Sequence, residues 1–166
     1  MINILFICMG NICRSPAAEG FFAHHLQGSQ YAELISIDSA ATHSYHIGHA
    51  PDSRAIETAE KFDVRIDQLR ARKVSRSDFN DFDLIIGMDH ENIANLQAIQ
   101  PANSHAELKL MMDYHPSAHT ATRNGQHDVV PDPYYGSMDG FVHMYELLDL
   151  ATAGLLKDIE RRLSQA

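Results

Sequence analysis

Short apolar runs alternate with helical patterns along this chain, and that alternation restricts the fold more than any other feature. The run INILFIC, Ile2 to Cys8, has the continuous apolar character of a strand that is covered on both faces. The pattern from Ser15 to Leu26 is helical, with Ser15 as the expected cap and Pro16 in the first turn, where proline is tolerated. Repetition of this order predicts a parallel sheet with right-handed crossovers and helices on both faces.

The remaining elements continue the alternation. Further strands are predicted at Leu34–Ser39, Phe82–Met88 and Glu107–Met112, and further helices at Pro51–Phe62 (starting near Asp52), at Glu91–Ile99 (capped by Asp89) and at Gly140–Leu163. We therefore expect an α/β fold, with residues 1–166 as a single three-layer α/β/α domain built on a four-stranded parallel sheet. Ligands of such sheets bind beyond the carboxyl ends of the strands, which places Cys8 at the expected site.

One long connection interrupts this pattern. The segment from Asp113 to Gly136 shows no convincing helix or strand and carries three prolines. A connection of this length inside a compact domain is usually functional or disordered.

Composition excludes several classes of function. The chain has 166 residues, of which 45% are hydrophobic, and a formal net charge of -9. This acidic balance argues against nucleic acid or an anionic membrane surface as a partner, because both attract clustered basic residues. The first apolar run is too short to span a membrane and lacks the flanks of an export signal. The two cysteines, five residues apart, make a poor structural staple, so we expect reduced thiols and a cytoplasmic location.

The stretch CMGNICRSP after the first strand has the residue types of an anion site with a nucleophile. A loop between a strand and a helix directs backbone N–H groups inward, and the helix N-terminus adds positive potential. Gly10 relaxes the turn, Asn11 tolerates left-handed backbone, and Arg14 offers a planar fork to two phosphate oxygens. Cysteines beside a cation at a helix N-terminus have thiol pKa values of roughly 3.5 to 7.5, so we expect Cys8 to react as a thiolate. The Ser15 hydroxyl could donate to its sulfur.

A nucleophile inside an anion site predicts attack on a bound phosphoryl group. The resulting cysteinyl phosphate requires a proton donor for the leaving oxygen and then a base for water. Asp132 in PDPYYG is the candidate for both steps, because prolines stiffen its backbone and it lies on the long connection beside two aromatic rings.

These residues resemble the low-molecular-weight protein tyrosine phosphatase family, with its Cys-x5-Arg-Ser loop at the amino terminus and its Asp-Pro-Tyr-Tyr stretch near the carboxyl end. The segments DSAATHSYHIG, DSR and MDHEN follow in the family's order. The resemblance implies that Cys8 is the nucleophile, Arg14 the phosphate clamp and Asp132 the general acid and then base. It also implies a phosphate-binding loop with polar support, formed by Met9, Gly10, Asn11, Ile12, Cys13, Ser15 and Ser39. It implies the same four-stranded sheet and no metal or other cofactor.

The same resemblance suggests the partners. Phosphotyrosine-containing proteins are the expected substrates, a cognate tyrosine kinase is a candidate partner, and phosphate and other oxyanions are expected inhibitors. Four apolar or aromatic side chains could form a slot for a phosphorylated ring: Ile12, Tyr45, Tyr134 and Tyr135. Similar proteins that act on phosphoarginine carry threonine in place of Ile12, so Ile12 favours phosphotyrosine. Tyr45 stands where the family often has tryptophan, and Leu69 near a histidine of some eukaryotic members.

Several residues have a second interpretation. Cys13 either traps oxidised Cys8 as a reversible disulfide or is a small buried residue. Asp89 could be a rival acid, but helix capping explains it without chemistry. Three histidines lie on a predicted loop with no carboxylate cluster, which disfavours a metal site: His43, His46 and His49. Asp113 and Asp128 are expected to be solvated.

Other functions fit the sequence less well. An arsenate reductase of the same fold would pass a disulfide to downstream cysteines, and none follows Cys13. A phosphocarrier of sugar transport would not need Arg14 together with a distant acid. A phosphotyrosine-binding protein without catalysis remains open, because only its lack of turnover would distinguish it.

Overall fold

The structure, a computed structural model, describes residues 1–119 and 128–166. Within this part, four parallel strands form one sheet in the order β2-β1-β3-β4. The strands are β1 (Ile2–Cys8), β2 (Ile35–Ala41), β3 (Leu84–Gly87) and β4 (Glu107–Leu110). The helices are α1 (Arg14–Leu26), α2 (Ser53–Lys61), α3 (Asp78–Asp81), α4 (His90–Ile99) and α5 (Met138–Ser164). The predicted α/β fold with a four-stranded parallel sheet is confirmed.

Alternate residues of β1 fill the two sides of the sheet. Ile4 and Phe6 are fully buried in a cluster with residues of α1, α2 and α5, while Leu5 and Ile7 are fully buried against the opposite helices. Burial of a side chain of this size stabilises the fold by about 1.5 to 3 kcal/mol. Because β1 lies inside the sheet, the loop after Cys8 emerges between the ends of its two neighbours, where the strand order reverses.

Two helices begin after an aspartate cap, of which Asp89 was predicted as a cap and Asp52 as the approximate start of its helix. The Asp52 carboxylate accepts a hydrogen bond from the Arg54 N–H at the start of α2. The Asp89 carboxylate accepts from the Asn92 N–H at 2.7 Å, and the Asn92 side chain accepts from the Asp89 N–H in return. Each side-chain cap of this kind is worth about 1 kcal/mol. The capping interpretation of Asp89 is therefore confirmed.

Some boundaries differ from the prediction because side chains act outside their own element. Helix α1 begins at Arg14, and Ser15 does not cap it, since its hydroxyl contacts the loop before the helix. Strand β4 ends at Leu110, where the Asp113 carboxylate accepts from the Leu110 N–H and the chain enters a 3-10 turn. Asp113 is exposed as expected.

The long connection holds more local structure than the sequence predicts. Its described part contains 3-10 turns at Met111–Tyr114 and Pro116–His119, whereas residues 120–127 lie outside the described residues. Asp128, expected to be solvated, pairs with the His90 ring at 2.8 Å. A further 3-10 turn, Ala32–Leu34, precedes β2, and neither this turn nor α3 was predicted. No helix in 1–119 or 128–166 combines the length and apolar character needed to cross a membrane.

Candidate active site

Backbone hydrogen bonds turn the carbonyl groups of the loop after β1 away from its centre. The carbonyls of Cys8, Met9 and Ile12 accept from backbone N–H groups of the connection between β2 and α2. The donors are Thr42 at 3.0 Å, His43 at 3.0 Å and Asp52 at 2.8 Å, respectively. Because these carbonyls face outward, the N–H groups of residues 8–15, the phosphate loop, remain to surround an anion at the start of α1.

The Asn11 side chain fixes the shape of the phosphate loop from within. Its backbone lies in the left-handed region at φ 56°, which asparagine tolerates better than most residues. Its amide nitrogen donates to the hydroxyls of Ser15 at 2.8 Å and Ser39 at 2.9 Å. Its amide oxygen accepts from the Arg72 N–H at 3.1 Å, which fixes the orientation of the amide. Asn11 and both serines are buried.

Two donors face the sulfur of Cys8. The Ser15 hydroxyl lies 3.0 Å from Sγ, and the Asn11 backbone N–H donates to Sγ at 3.3 Å. Since the Ser15 oxygen already accepts from the Asn11 amide, we infer that its own proton points at the sulfur. Hydrogen-bond donors in this position stabilise negative charge that develops on the sulfur.

The network extends from Asn11 to an acidic residue of α1. The Ser39 hydroxyl donates to the Glu19 carboxylate at 2.5 Å. Burial raises the pKa of Glu19, although the bond from Ser39 acts in the opposite direction. The sequence analysis did not identify Glu19, which lies four residues beyond Ser15 on a helix that otherwise looked like core. The serines are thus fixed by partners on both sides.

The guanidinium group of Arg14 contacts three acceptors from distant parts of the chain. Nη1 contacts the Asp89 carboxylate at 2.6 Å and the Val130 carbonyl at 3.2 Å, and Nη2 contacts the Asp132 carboxylate at 3.3 Å. Arg14 is 3% exposed. Burial opposes its charge, but the nearby Cys8 and the carboxylates outweigh this effect and raise its pKa. Arg14 therefore stays a cation at the edge of the phosphate loop.

The Arg14 fork retains donors for a ligand. A guanidinium group carries five N–H donors in one plane. Among the residues that the structure describes, the bonds above use Nη1 and one N–H of Nη2, and no acceptor contacts Nε. Two oxygens of a phosphoryl group match a planar pair of donors, which is the geometry expected of a phosphate clamp.

Asp132 lies on a short segment, residues 130–137, which we call the Asp132 loop. The Val130 N–H donates to the Met88 carbonyl at 2.8 Å, which attaches this loop to the end of β3. One carboxylate oxygen of Asp132 contacts Arg14, and the other accepts from the Tyr134 N–H at 3.1 Å. Asp132 therefore reaches the same pocket as Cys8 from the opposite end of the chain.

The site opens into a surface pocket. Its walls carry all the predicted aromatic and apolar residues, together with one histidine that was not predicted. The lining residues are Cys8, Met9, Gly10, Ile12, Cys13, Arg14, Tyr45, His46, Asp132, Tyr134 and Tyr135. The predicted polar supports lie behind the wall, as described for Asn11, Ser15 and Ser39. An apolar slot above an anion site fits a phosphorylated ring.

The sequence analysis gave His46 and Asp89 other roles, His46 in a disfavoured metal site and Asp89 as a helix cap, and the structure places both near the site. The His46 ring lies 6.1 Å from the Tyr134 ring, between centroids, and an added side chain at Gly10 would meet it at 3.1 Å. Its position beside Tyr45 in one loop was the available signal. For Asp89 the signal was its place after β3, next to β1 in the sheet.

The three histidines weighed as a metal site do not form one. In 1–119 and 128–166, no group of three or more His, Cys, Asp or Glu side chains is arranged to hold a metal ion. His43 instead stacks on Tyr45 with ring centroids 5.4 Å apart, and the His46 and His49 rings lie 6.0 Å apart. Of the three histidines, His46 is the one that lines the pocket.

Cys13 is a free, buried thiol beside the candidate nucleophile. Burial, followed by the proximity of Cys8, raises its pKa, so Cys13 is a protonated thiol at neutral pH. Peroxide converts a thiolate to a sulfenic acid, and a neighbouring thiol can displace water from it to give a disulfide.

We expect peroxide inactivation of the native protein to reverse with a thiol reductant, and Cys13→Ser to recover poorly. The measurement is the activity regained after peroxide removal, with each sample compared with its own untreated control. Equal recovery of both proteins would show that Cys13 gives no protection.

Comparisons of the sequence and the structure with known proteins all find phosphatases of one kind. The family model described as "Low molecular weight phosphotyrosine protein phosphatase" matches residues 3–165. A low molecular weight phosphotyrosine protein phosphatase of Schizosaccharomyces pombe is 38% identical over 95% of this chain and 97% of its own. A low molecular weight phosphotyrosine protein phosphatase of Saccharomyces cerevisiae is 33% identical over 94% of each chain. A crystal structure of a protein tyrosine phosphatase from Entamoeba histolytica superposes with a TM-score of 0.87 at 35% identity, covering 97% of this chain and 98% of that one.

Proposed function

The chain belongs to the low molecular weight phosphotyrosine protein phosphatase family, and we propose that it hydrolyses phosphotyrosine in proteins through a cysteinyl phosphate formed on Cys8. The resemblance expected from the sequence is thereby confirmed, and with it the assignment to a family of hydrolases. One observation carries the mechanism most directly. The Cys8 sulfur, held by Ser15 and Asn11, opens into the same pocket as Arg14 and Asp132.

The first step forms the cysteinyl phosphate. The N–H groups of the phosphate loop and the Arg14 fork hold the phosphoryl oxygens, and the Cys8 sulfur attacks phosphorus opposite the tyrosyl oxygen. The sulfur–phosphorus bond forms as the phosphorus–oxygen bond breaks. Asp132, carrying a proton at this stage, gives it to the departing tyrosyl oxygen. Positioned proton donors of this kind contribute about 10² to 10⁴ in rate.

The second step releases phosphate. Asp132, now a carboxylate, accepts a proton from water as the water oxygen attacks phosphorus. The sulfur–phosphorus bond breaks and returns the electron pair to Cys8. The Ser15 hydroxyl, aimed at the sulfur from 3.0 Å, stabilises the departing thiolate. Asp132 thus carries the proton in both steps, first to the tyrosyl oxygen and then from water.

The shape of the pocket supports phosphotyrosine as substrate. Ile12, within the phosphate loop, lines it together with Tyr45 and Tyr134 from two other segments of the chain. A phosphorylated ring spans the distance from this rim to the phosphate loop, whereas the short chain of phosphoserine brings the peptide backbone against the rim. A tyrosine kinase that supplies the substrates is the proposed partner. The two reduced cysteines support a cytoplasmic location.

We expect rapid release of phosphate from phosphotyrosine and much slower release from phosphoserine and phosphoarginine. The measurement compares all three at mildly acid and neutral pH with a chelator present, because the proposed chemistry uses no metal. Binding of phosphotyrosine without turnover would contradict the proposal and indicate a recognition module. Equal turnover of phosphoarginine would contradict the role given to Ile12.

A further inference from the structure

The Asp132 loop accepts hydrogen bonds from an arginine that lies outside the pocket lining, Arg54. Arg54 Nη2 donates to the Tyr134 carbonyl at 3.0 Å, and Nη1 approaches the Gly136 carbonyl at 3.5 Å. These carbonyls lie two and four residues beyond Asp132 in a stretch without helix or strand. The guanidinium group thus binds backbone carbonyls of a segment that has no regular secondary structure to hold it.

Arg54 is itself locked in place. The Asp52 carboxylate accepts from Arg54 Nε at 3.0 Å and from Nη2 at 2.8 Å, a bidentate pair. The guanidinium carbon lies 4.7 Å from the centroid of the Phe141 ring and 5.6 Å from that of Tyr134. The hydrogen bond from Arg54 holds the pKa of Asp52 below its usual value, so both partners are charged at neutral pH. The donors that reach the Asp132 loop therefore have little freedom.

The Asp52 backbone, two residues before Arg54 in the chain, also holds the phosphate loop. The Asp52 backbone N–H donates to the Ile12 carbonyl at 2.8 Å, and Ile12 lies between Asn11 and Arg14 in that loop. One short stretch at the start of α2 therefore contacts both halves of the site. It joins the loop that carries Cys8 to the loop that carries Asp132.

We propose that Arg54 is a positioning residue that fixes the Asp132 loop relative to the phosphate loop, and so sets the distance from the Asp132 carboxyl group to the leaving oxygen. The inference rests on the proposed function of Asp132 as general acid. The Asp132 carboxylate is 37% exposed, and among the described residues it is held by Arg14 and the Tyr134 N–H. Since a misplacement of 1 Å can cost about 100-fold in rate, the backbone after Asp132 needs an anchor.

The test compares two aryl phosphates with different leaving groups. Phenyl phosphate needs a proton on its leaving oxygen, whereas p-nitrophenyl phosphate leaves readily without one. We expect R54M to lower kcat/KM for phenyl phosphate about 10-fold more than for p-nitrophenyl phosphate, because the acid is displaced while the phosphate loop is intact. Competitive inhibition by inorganic phosphate should change less than about 2-fold, since no Arg54 contact reaches the phosphate donors.

Two further variants make the test specific. R54K keeps the cation but not the fork, and should give an intermediate loss on phenyl phosphate. R65M is the matched control, because Arg65 also pairs with an aspartate two residues away, Asp67, but on an exposed surface. It should leave both substrates unaffected. If thermal unfolding shows that R54M does not fold, R54K alone tests the inference. An equal loss of kcat/KM on both substrates in R54K would overturn the inference.

The double variant R54M/D132A separates this inference from the proposed function. If Arg54 acts through Asp132, R54M should add no further selective loss once Asp132 is alanine. A selective loss that persists without Asp132 would overturn the inference. A selective loss in D132A but not in R54M would overturn the inference and leave the proposed function standing. Equal loss of both substrates in D132A would remove the general acid, and the inference with it.

Discussion

Replacing Cys8 by serine should lower turnover of p-nitrophenyl phosphate by about 10⁴-fold or more. The serine hydroxyl is a far weaker nucleophile than a thiolate, and the bonds from Ser15 and Asn11 that stabilise a sulfur anion cannot make up for this. The measurement is steady-state turnover, with thermal unfolding to show that the buried position still packs.

The same variant should still bind phosphotyrosine, because Arg14 and the loop N–H groups remain. Acid quenching of the native enzyme during turnover should trap phosphate on the protein, and Cys8→Ser should trap none. Substantial residual turnover, or trapped phosphate in the serine variant, would place the covalent bond elsewhere and contradict the proposed mechanism.

The sequence predicted those parts of the site that depend on neighbouring residues. The bounds of β1 followed from a continuous apolar run, and the approximate start of α2 and the cap of α4 followed from the helical patterns near Asp52 and after Asp89. The phosphate loop is equally local, since Cys8 and Ser15 are separated by one short turn between a strand and a helix. Local chemistry could therefore be inferred from spacing.

Contacts between distant segments were not predicted. Asp89 was identified correctly as a cap, but its 2.6 Å contact with Arg14 joins residues 75 positions apart and depends on β1 and β3 being neighbours. The contact of Arg54 with the Tyr134 carbonyl spans 80 positions. The Arg54 contact depends on how α2 packs against α5, which no local pattern specifies.

The aspartate residues show why one side chain can serve two purposes. The Asp89 carboxylate caps α4 with one oxygen and contacts Arg14 with the other. Asp89 lies outside the lining of the pocket that holds Cys8, so it is poorly placed to carry a proton to substrate. Asp132 lines that pocket and is the more exposed of the two, with one oxygen on a backbone N–H and the other on Arg14.

Replacing Asp132 by alanine should lower kcat/KM for phenyl phosphate by about 10² to 10⁴, and much less for p-nitrophenyl phosphate. A poor leaving group depends on the proton that Asp132 supplies, whereas a good one departs as an anion. Because Asp132 also serves as the base for water, kcat for p-nitrophenyl phosphate should fall and the trapped cysteinyl phosphate should increase. The measurements are leaving-group dependence and the amount of phosphoenzyme.

Two control variants distinguish proton transfer by Asp132 from a role in holding its loop. Asp132→Asn keeps the size of the side chain and an oxygen for the Tyr134 N–H, so it should reproduce the loss on phenyl phosphate if the proton is what matters. Asp113→Ala removes an exposed aspartate that lies outside the pocket lining and should change neither substrate. An equal loss on both substrates in Asp132→Ala, with full activity in Asp132→Asn, would assign Asp132 to holding the loop rather than to proton transfer.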